Sequence, residues 1–123
     1  MRISTSKRIY WKLLRKYRTP LIGMLDKTYY AIPYTYLALY ARKTNSLLKY
    51  VPALGDCDNF AFVYKGIADR ECNAVGIIYG TYKGVPHCWN IAFTEEEGLI
   101  QVEPQSELKG ARLEGYKPIV IVI

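Results

Sequence analysis

Cys57, His87 and Glu103 supply a thiol, an imidazole and a carboxylate, the three groups that acyl transfer by a cysteine needs. A free thiol, with a pKa near 8.5, is mostly protonated at neutral pH, and only its thiolate attacks well. Two neighbours favour the thiolate: the N-terminus of a helix, whose unpaired amides face the sulfur, and a histidine that takes the proton. A carboxylate beside that histidine fixes its tautomer and stabilises the imidazolium. His87 is the chain's one histidine. Asp56 and Asp58 flank Cys57 and oppose a negative sulfur, so a cationic His87 matters all the more.

The local sequence sets these residues at the ends of elements. Gly55-Asp56-Cys57-Asp58-Asn59 reads as a loop feeding a helix, with Asp56 as N-cap and Cys57 on the first turn. Phe60, Val63 and Ile67 form its apolar stripe, and the pattern fades near Asp69. Strand-like runs follow: Ala74 to Tyr82, closed by Lys83-Gly84; His87 to Phe93, followed by the acidic turn Glu95 to Gly98; and Leu99 to Glu103, ending at Pro104. Pairing through the acidic turn brings His87 beside Glu103. Pro118 to Ile123 is a last, β-branched run, expected to be buried on both faces.

Upstream, Ser4 or Ser6 caps a first helix running to about Tyr17 and ended by Thr19-Pro20. Ile9, Leu13, Leu14 and Tyr17 recur at helical spacing, and Lys7, Arg8, Lys12, Arg15 and Lys16 take the other faces. A solvated face over an apolar stripe is the commoner meaning of such a pattern. A second helix fits Thr35 to about Lys49, interrupted near Thr44-Asn45, while Pro33 argues against a regular central strand in Thr28 to Tyr36. Helices first and an antiparallel meander after them predict an α+β fold. It is expected as a single domain over 1–123, with a basic, tyrosine-rich helical part at 1–50 and the Cys–His–Glu part at 51–123.

Three stretches carry a likeness: Asp56-Cys57-Asp58-Asn59-Phe60-Ala61, His87-Cys88-Trp89-Asn90-Ile91, and Leu99-Ile100-Gln101-Val102-Glu103-Pro104-Gln105. Together they resemble the Cys–His–acid core of transglutaminase-like, papain-type proteins. The resemblance is above all to the agglutinin C-terminal domain family, the cysteine-protease domain of certain fungal chimeric lectins with small bacterial and viral relatives. It covers about residues 50–106. It implies a cysteine helix packed on a small antiparallel sheet, with Cys57 as nucleophile, His87 as general base and Glu103 as orienting acid. The substrate would be a peptide or amide held as a thioester, with protease favoured over transferase.

The upstream glutamine that papain-type proteases use as oxyanion donor has no counterpart before Cys57. The Cys57 backbone N–H is one candidate donor, and Tyr34, Tyr36 and Tyr50 are candidates for a second. Asn90 is an alternative orienter of the imidazole, and Gln105 a further supporting candidate. Trp89 is a core residue or a substrate wall. Cys88 alternates away from His87 on a regular strand and is expected to be buried. The lectin-linked relatives need calcium, but Asp56, Asp58 and Asn59 are fewer than the six to eight oxygens that Ca²⁺ takes. No cofactor or tight metal site is therefore expected. Cys57, Cys72, His87 and Cys88 match no common zinc module.

With 123 residues, 50% hydrophobic and 23% charged, the composition is that of one globular domain. Thr28 to Ala41, the longest uncharged run, is too short and polar to span a bilayer, and Met1 to Lys16 lacks a signal-peptide core. A cytoplasmic protein with no membrane partner is expected, its three cysteines reduced. Charge is uneven: residues 1–55 hold eleven Lys/Arg and one acid, residues 56–123 six Lys/Arg and ten acids. The basic half suits nucleic acid, an anionic surface or the acidic half of its own chain. A second reading follows, a non-catalytic binding module of a virus or mobile element that uses this half to bind nucleic acid or an acidic protein. Twelve tyrosines, eight of them in residues 1–50, suit either base stacking or the edge of a core.

Overall fold

A computed structural model describes residues 2–19, 21–52 and 56–123. Pro20 and Gly55, used above as a helix stop and a loop residue, lie outside the described residues. The chain begins with β1 (Ile3–Thr5), α1 (Ser6–Tyr17), β2 (Leu21–Gly23), β3 (Thr28–Tyr30) and α2 (Tyr36–Leu47). It continues with α3 (Cys57–Asp69), β4 (Val75–Tyr82), β5 (Val85–Thr94), β6 (Gly98–Glu103), β7 (Leu108–Gly110) and β8 (Tyr116–Val122). The fold is α+β.

The residue that caps α1 is Thr5, between the two expected serines. Its Oγ1 accepts the Arg8 N–H at 3.3 Å, because Thr5 is extended while Ser6 is already helical. Arg18 ends the helix in the left-handed conformation and returns its N–H to the Leu14 carbonyl at 2.9 Å. Ile9 and Leu13 are the buried face. The expected break at Thr44-Asn45 does not occur. Thr44 Oγ1 donates to the Tyr40 carbonyl and Asn45 Nδ2 to that of Ala41, both at 2.8 Å, so the polar side chains bond back onto α2. Asn45 Nδ2 also reaches the Pro104 carbonyl at 2.7 Å, tying α2 to the chain just after Glu103.

The main sheet has the order β2-β8-β4-β5-β6-β7, and a small one pairs β1 with β3. Strands β4, β5 and β6 pair in the expected meander, but the next strand in it is β7, which the sequence did not show; the expected last run, β8, crosses back to the free edge of β4, and β2 joins β8 in parallel. The sheet is therefore mixed, because a β-branched run fits an open strand edge wherever topology offers one. β3 stops before Pro33, and Ile32 bridges to Thr94. β8 is not buried on both faces as expected: Ile121 is buried while Ile119 is 42% exposed.

Helix α3 packs against β4 and β5 and carries α2 on its outer side. Tyr40 and Tyr64 meet edge to face at 6.0 Å in that helix pair. Buried tyrosines satisfy their hydroxyls locally: Tyr64 donates to the Leu37 carbonyl at 3.1 Å and Tyr29 to that of Ile123 at 2.6 Å. Among the described residues, no helix is long and apolar enough to cross a membrane.

Candidate active site

Cys57 is the first residue of α3. Asp56 precedes it in extended conformation and forms a capping box with Asn59: the Asp56 side chain takes the Asn59 amide, and Asn59 Oδ1 takes the Asp56 amide at 3.3 Å. The Phe60 amide already bonds the Asp56 carbonyl at 3.1 Å. The Cys57 and Asp58 amides therefore remain at the helix head with no acceptor inside the helix. The sequence dictates this directly, with Asp56 four positions ahead of Phe60 and Asn59 at the third position to close the box.

His87 lies near the start of β5, and its Nε2 is hydrogen-bonded to Glu103 Oε1. Glu103, the last residue of β6, is only 5% exposed. Burying a carboxylate requires partners, and it has three. Tyr116 OH donates to the same Oε1 at 3.0 Å, and the Gln105 backbone N–H reaches Oε2 at 3.4 Å. Burial, and then the Glu103 charge, raise the Tyr116 phenol well above its ordinary value, so it stays a donor. The imidazole stacks on Trp89 at 5.8 Å with 20° between the planes, and Tyr116 meets it edge-on at 5.7 Å. Trp89 is itself held by a 2.7 Å bond from Nε1 to Gln101 Oε1. With Nε2 committed to Glu103, Nδ1 is the ring nitrogen left for a second partner.

Cys57 and His87 border one cleft of about 900 Å³. It runs along α3 past Phe62 and Gly66 to Asp69. Its opposite wall is one sheet face, where Ile77 and Tyr79 of β4 stand across from Val122 and Val120 of β8. Cys88 also borders it, although alternation sends its side chain away from that of His87. Burial first, and then the charges of Cys57, Asp58 and Asp56, push the Cys88 thiol up to about 11, so it stays protonated beside Cys57.

Solved structures share this architecture. The complex of PSL1a with E64 matches at a TM-score of 0.82 and 18% identity, over 98% of this chain and 50% of that one. The chain folds like that half of PSL1a. Polyporus squamosus lectin bound to a human-type influenza-binding epitope matches equally, with a TM-score of 0.81 and 18% identity, over 98% of this chain and 49% of that one. The chain thus spans about half the length of the solved chains it matches. No protein-family model matches it, and no curated protein does.

Several expected site residues stand away from this cleft. Trp89 is fully buried beneath His87 and does not border the cleft, so it is no substrate wall. Asn90 is fully buried, and its Nδ2 donates to the Ala61 and Gly76 carbonyls, both at 3.0 Å. It staples α3 to β4 and has no bond to the imidazole. Tyr34, Tyr36 and Tyr50 do not border the cleft either. The Tyr34 backbone N–H binds Glu96, Tyr36 packs on Tyr40, and Tyr50 is 57% exposed. Gln105 meets Glu103 through its backbone N–H. Sequence reasoning missed Tyr116 and the role of Gln101, because nothing local separates Tyr116 from the other tyrosines. Asp56 and Asn59 each give a side-chain oxygen to the helix cap. Among the described residues, no three His, Cys, Asp or Glu side chains gather as metal ligands.

Proposed function

We propose that the chain is a cysteine-dependent hydrolase of the papain/transglutaminase-like type, cleaving peptide or side-chain amide bonds. The observation that carries this reading is the cleft shared by Cys57, at the head of α3, and His87, whose far nitrogen is held by Glu103.

His87 takes the Cys57 proton, and the sulfur attacks the substrate carbonyl, forming a C–S bond and an oxyanion. The Cys57 backbone N–H, free at the helix head, is the oxyanion donor. The oxyanion collapses, the C–N bond breaks, and the amine leaves with the proton from the imidazolium. Water, deprotonated by His87, then hydrolyses the thioester and restores the thiol. Glu103 carries no proton in this sequence; it orients the ring and balances its charge.

The cleft speaks to the substrate's shape. Thirteen residues of α3 span about 20 Å, the length of about six extended residues. Apart from His87, Lys65, Asp56, Asp58 and Asp69, its walls are largely apolar, so it suits an extended chain with aliphatic or aromatic side chains. The PSL1a complex contains E64, a cysteine-protease inhibitor, which supports the same reading for a chain of this fold.

Incubation with E64 followed by peptide mapping tests it. The expected result is one adduct per chain, on Cys57, lost in His87→Ala, together with hydrolysis of unstructured peptides that Cys57→Ser abolishes. Equal labelling of Cys57 and Cys72 with no hydrolysis would overturn it.

A further inference from the structure

The outward face of α1 has no role in the cleft chemistry. Lys7, Arg8, Trp11, Lys12 and Arg15 follow one another at helical spacing, all exposed, and with Thr5 they line a groove of about 690 Å³. Helix α1 contains no acid. Arg15 joins this groove to a second hollow lined by Arg18, Arg112 and Lys117. Glu97 is the one acid bordering a third, between Arg2 and Lys16.

The acidic half of the chain does not neutralise this band. Among the described residues the ion pairs are Lys65–Asp69 and His87–Glu103, and neither involves α1. Lys16 instead gives its ammonium to the Leu99 carbonyl at 2.6 Å, and Arg112 donates to the Lys16 carbonyl at 2.9 Å. Burial chiefly, and then the neighbouring Arg112 and Lys12, depress the Lys16 ammonium.

Trp11 decides the kind of polyanion. It is 52% exposed in the middle of the groove, and Tyr10 braces it edge-on at 5.7 Å. A flat aromatic surface between cations spaced along a helix suits bases that stack while their phosphates meet Lys and Arg. A bilayer is a poor fit, since α1 has already spent its apolar face, Ile9 and Leu13, in the core. From this geometry we infer that the α1 face binds single-stranded nucleic acid, with Trp11 as stacking platform and Lys7, Arg8, Lys12 and Arg15 on the phosphates. This binding is independent of the cysteine chemistry.

The test is titration of the whole chain with a fluorescently labelled oligothymidine of about 15 nucleotides, read by anisotropy over a salt series. Four phosphates neutralised on a single strand give a log–log salt slope of about −3. The double variant Lys12→Gln/Arg15→Gln should make the slope shallower by about 1.4. Trp11→Ala should weaken binding about five- to one-hundred-fold with little change in slope. Wild-type tryptophan emission should fall on binding and that of Trp11→Phe should not, since Trp89 is buried. All these changes are on exposed positions, and Cys57 alkylation rates should not move. Absence of binding at low salt would overturn the inference. So would polyglutamate competing as well as the oligonucleotide with Trp11→Ala silent, which would mark an acidic-protein surface instead.

Discussion

His87 and Glu103 meet on a diagonal of the sheet, not directly across it. Asn90 pairs with Val102 in the β5–β6 register, so Glu103 stands opposite Trp89, and His87 lies two residues further along β5. Trp89 makes the same diagonal step to Gln101. Two bonds, one from an imidazole and one from an indole, thus run side by side between the same strands, with the two rings stacked. The imidazole is fixed at its edge by a carboxylate and on its face by an indole that cannot turn.

This predicts a graded response. Glu103→Gln keeps the shape and removes the charge, and kcat/KM for a peptide substrate should fall about 10²- to 10⁴-fold. Tyr116→Phe removes one donor from Oε1 and leaves the others. It should cost about tenfold, the ~1.5 kcal/mol of a hydrogen bond to a charged group. Steady-state kinetics on both variants decide the matter; wild-type activity in Glu103→Gln would remove the carboxylate from the mechanism.

The parts of the fold legible in the sequence are those set by neighbours a few residues apart. The cap at Asp56, the reach of α3 to Asp69, and the turns that separate β4, β5 and β6 are of this kind. β1, β2, β3 and β7 are three residues each, too short for any periodicity, and the partner of β2 lies about a hundred residues along the chain. The run Ile119 to Ile123 misled for a different reason. Its apolar residues serve two purposes: Ile121 fills the core while Val120 and Val122 wall the cleft. Hydrophobicity alone does not separate a buried face from one that lines a cleft.

Gly80 offers a second prediction. It faces His87 across β4–β5, next to the register shift between β4 and β8. A Cβ there would lie 2.0 Å from the Lys117 carbonyl oxygen and 2.8 Å from the Trp89 ring. Gly80→Ala should therefore destabilise the fold by about 1–3 kcal/mol, the usual cost of overpacking. It should also slow Cys57 alkylation, because the displaced indole supports His87. Urea unfolding and iodoacetamide kinetics measure the two effects; an unchanged midpoint would show that β8 yields freely at Lys117.

Alkaline pH should unfold the protein. Burial raises the thiols of Cys72 and Cys88, the latter to about 11, and the phenols of Tyr17, to about 12, and of Tyr29, Tyr40, Tyr64 and Tyr116. In the unfolded chain, thiols ionise near 8.5 and phenols near 10. Above those values the unfolded state holds fewer protons than the folded one, so stability is full below about pH 8.5 and falls as pH climbs toward the folded values. Lys16, lowered chiefly by burial, acts in the opposite sense but is one group against seven. The urea midpoint should hold steady from pH 6 to 8 and drop progressively from about pH 9 to 11. Buried phenolate absorbance should appear together with unfolding; its appearance in a still-folded protein would contradict the argument.

β2 has one strand partner, β8, about a hundred residues further along the chain, and pairing so remote in sequence is slow to form. The contact is reinforced where the Leu25 and Ile123 amides bond the Ile123 and Gly23 carbonyls at 2.7 and 3.0 Å. Val120 and Val122 border the cleft through the pairing of β8 with β4, and Leu25 joins them there only when this distant closure occurs. Kinetically, the Cys57 helix can exist before the groove is complete. A chain severed between Leu48 and Pro52 should show His87-dependent alkylation of Cys57 only when both fragments are present, and that of a free thiol when they are apart.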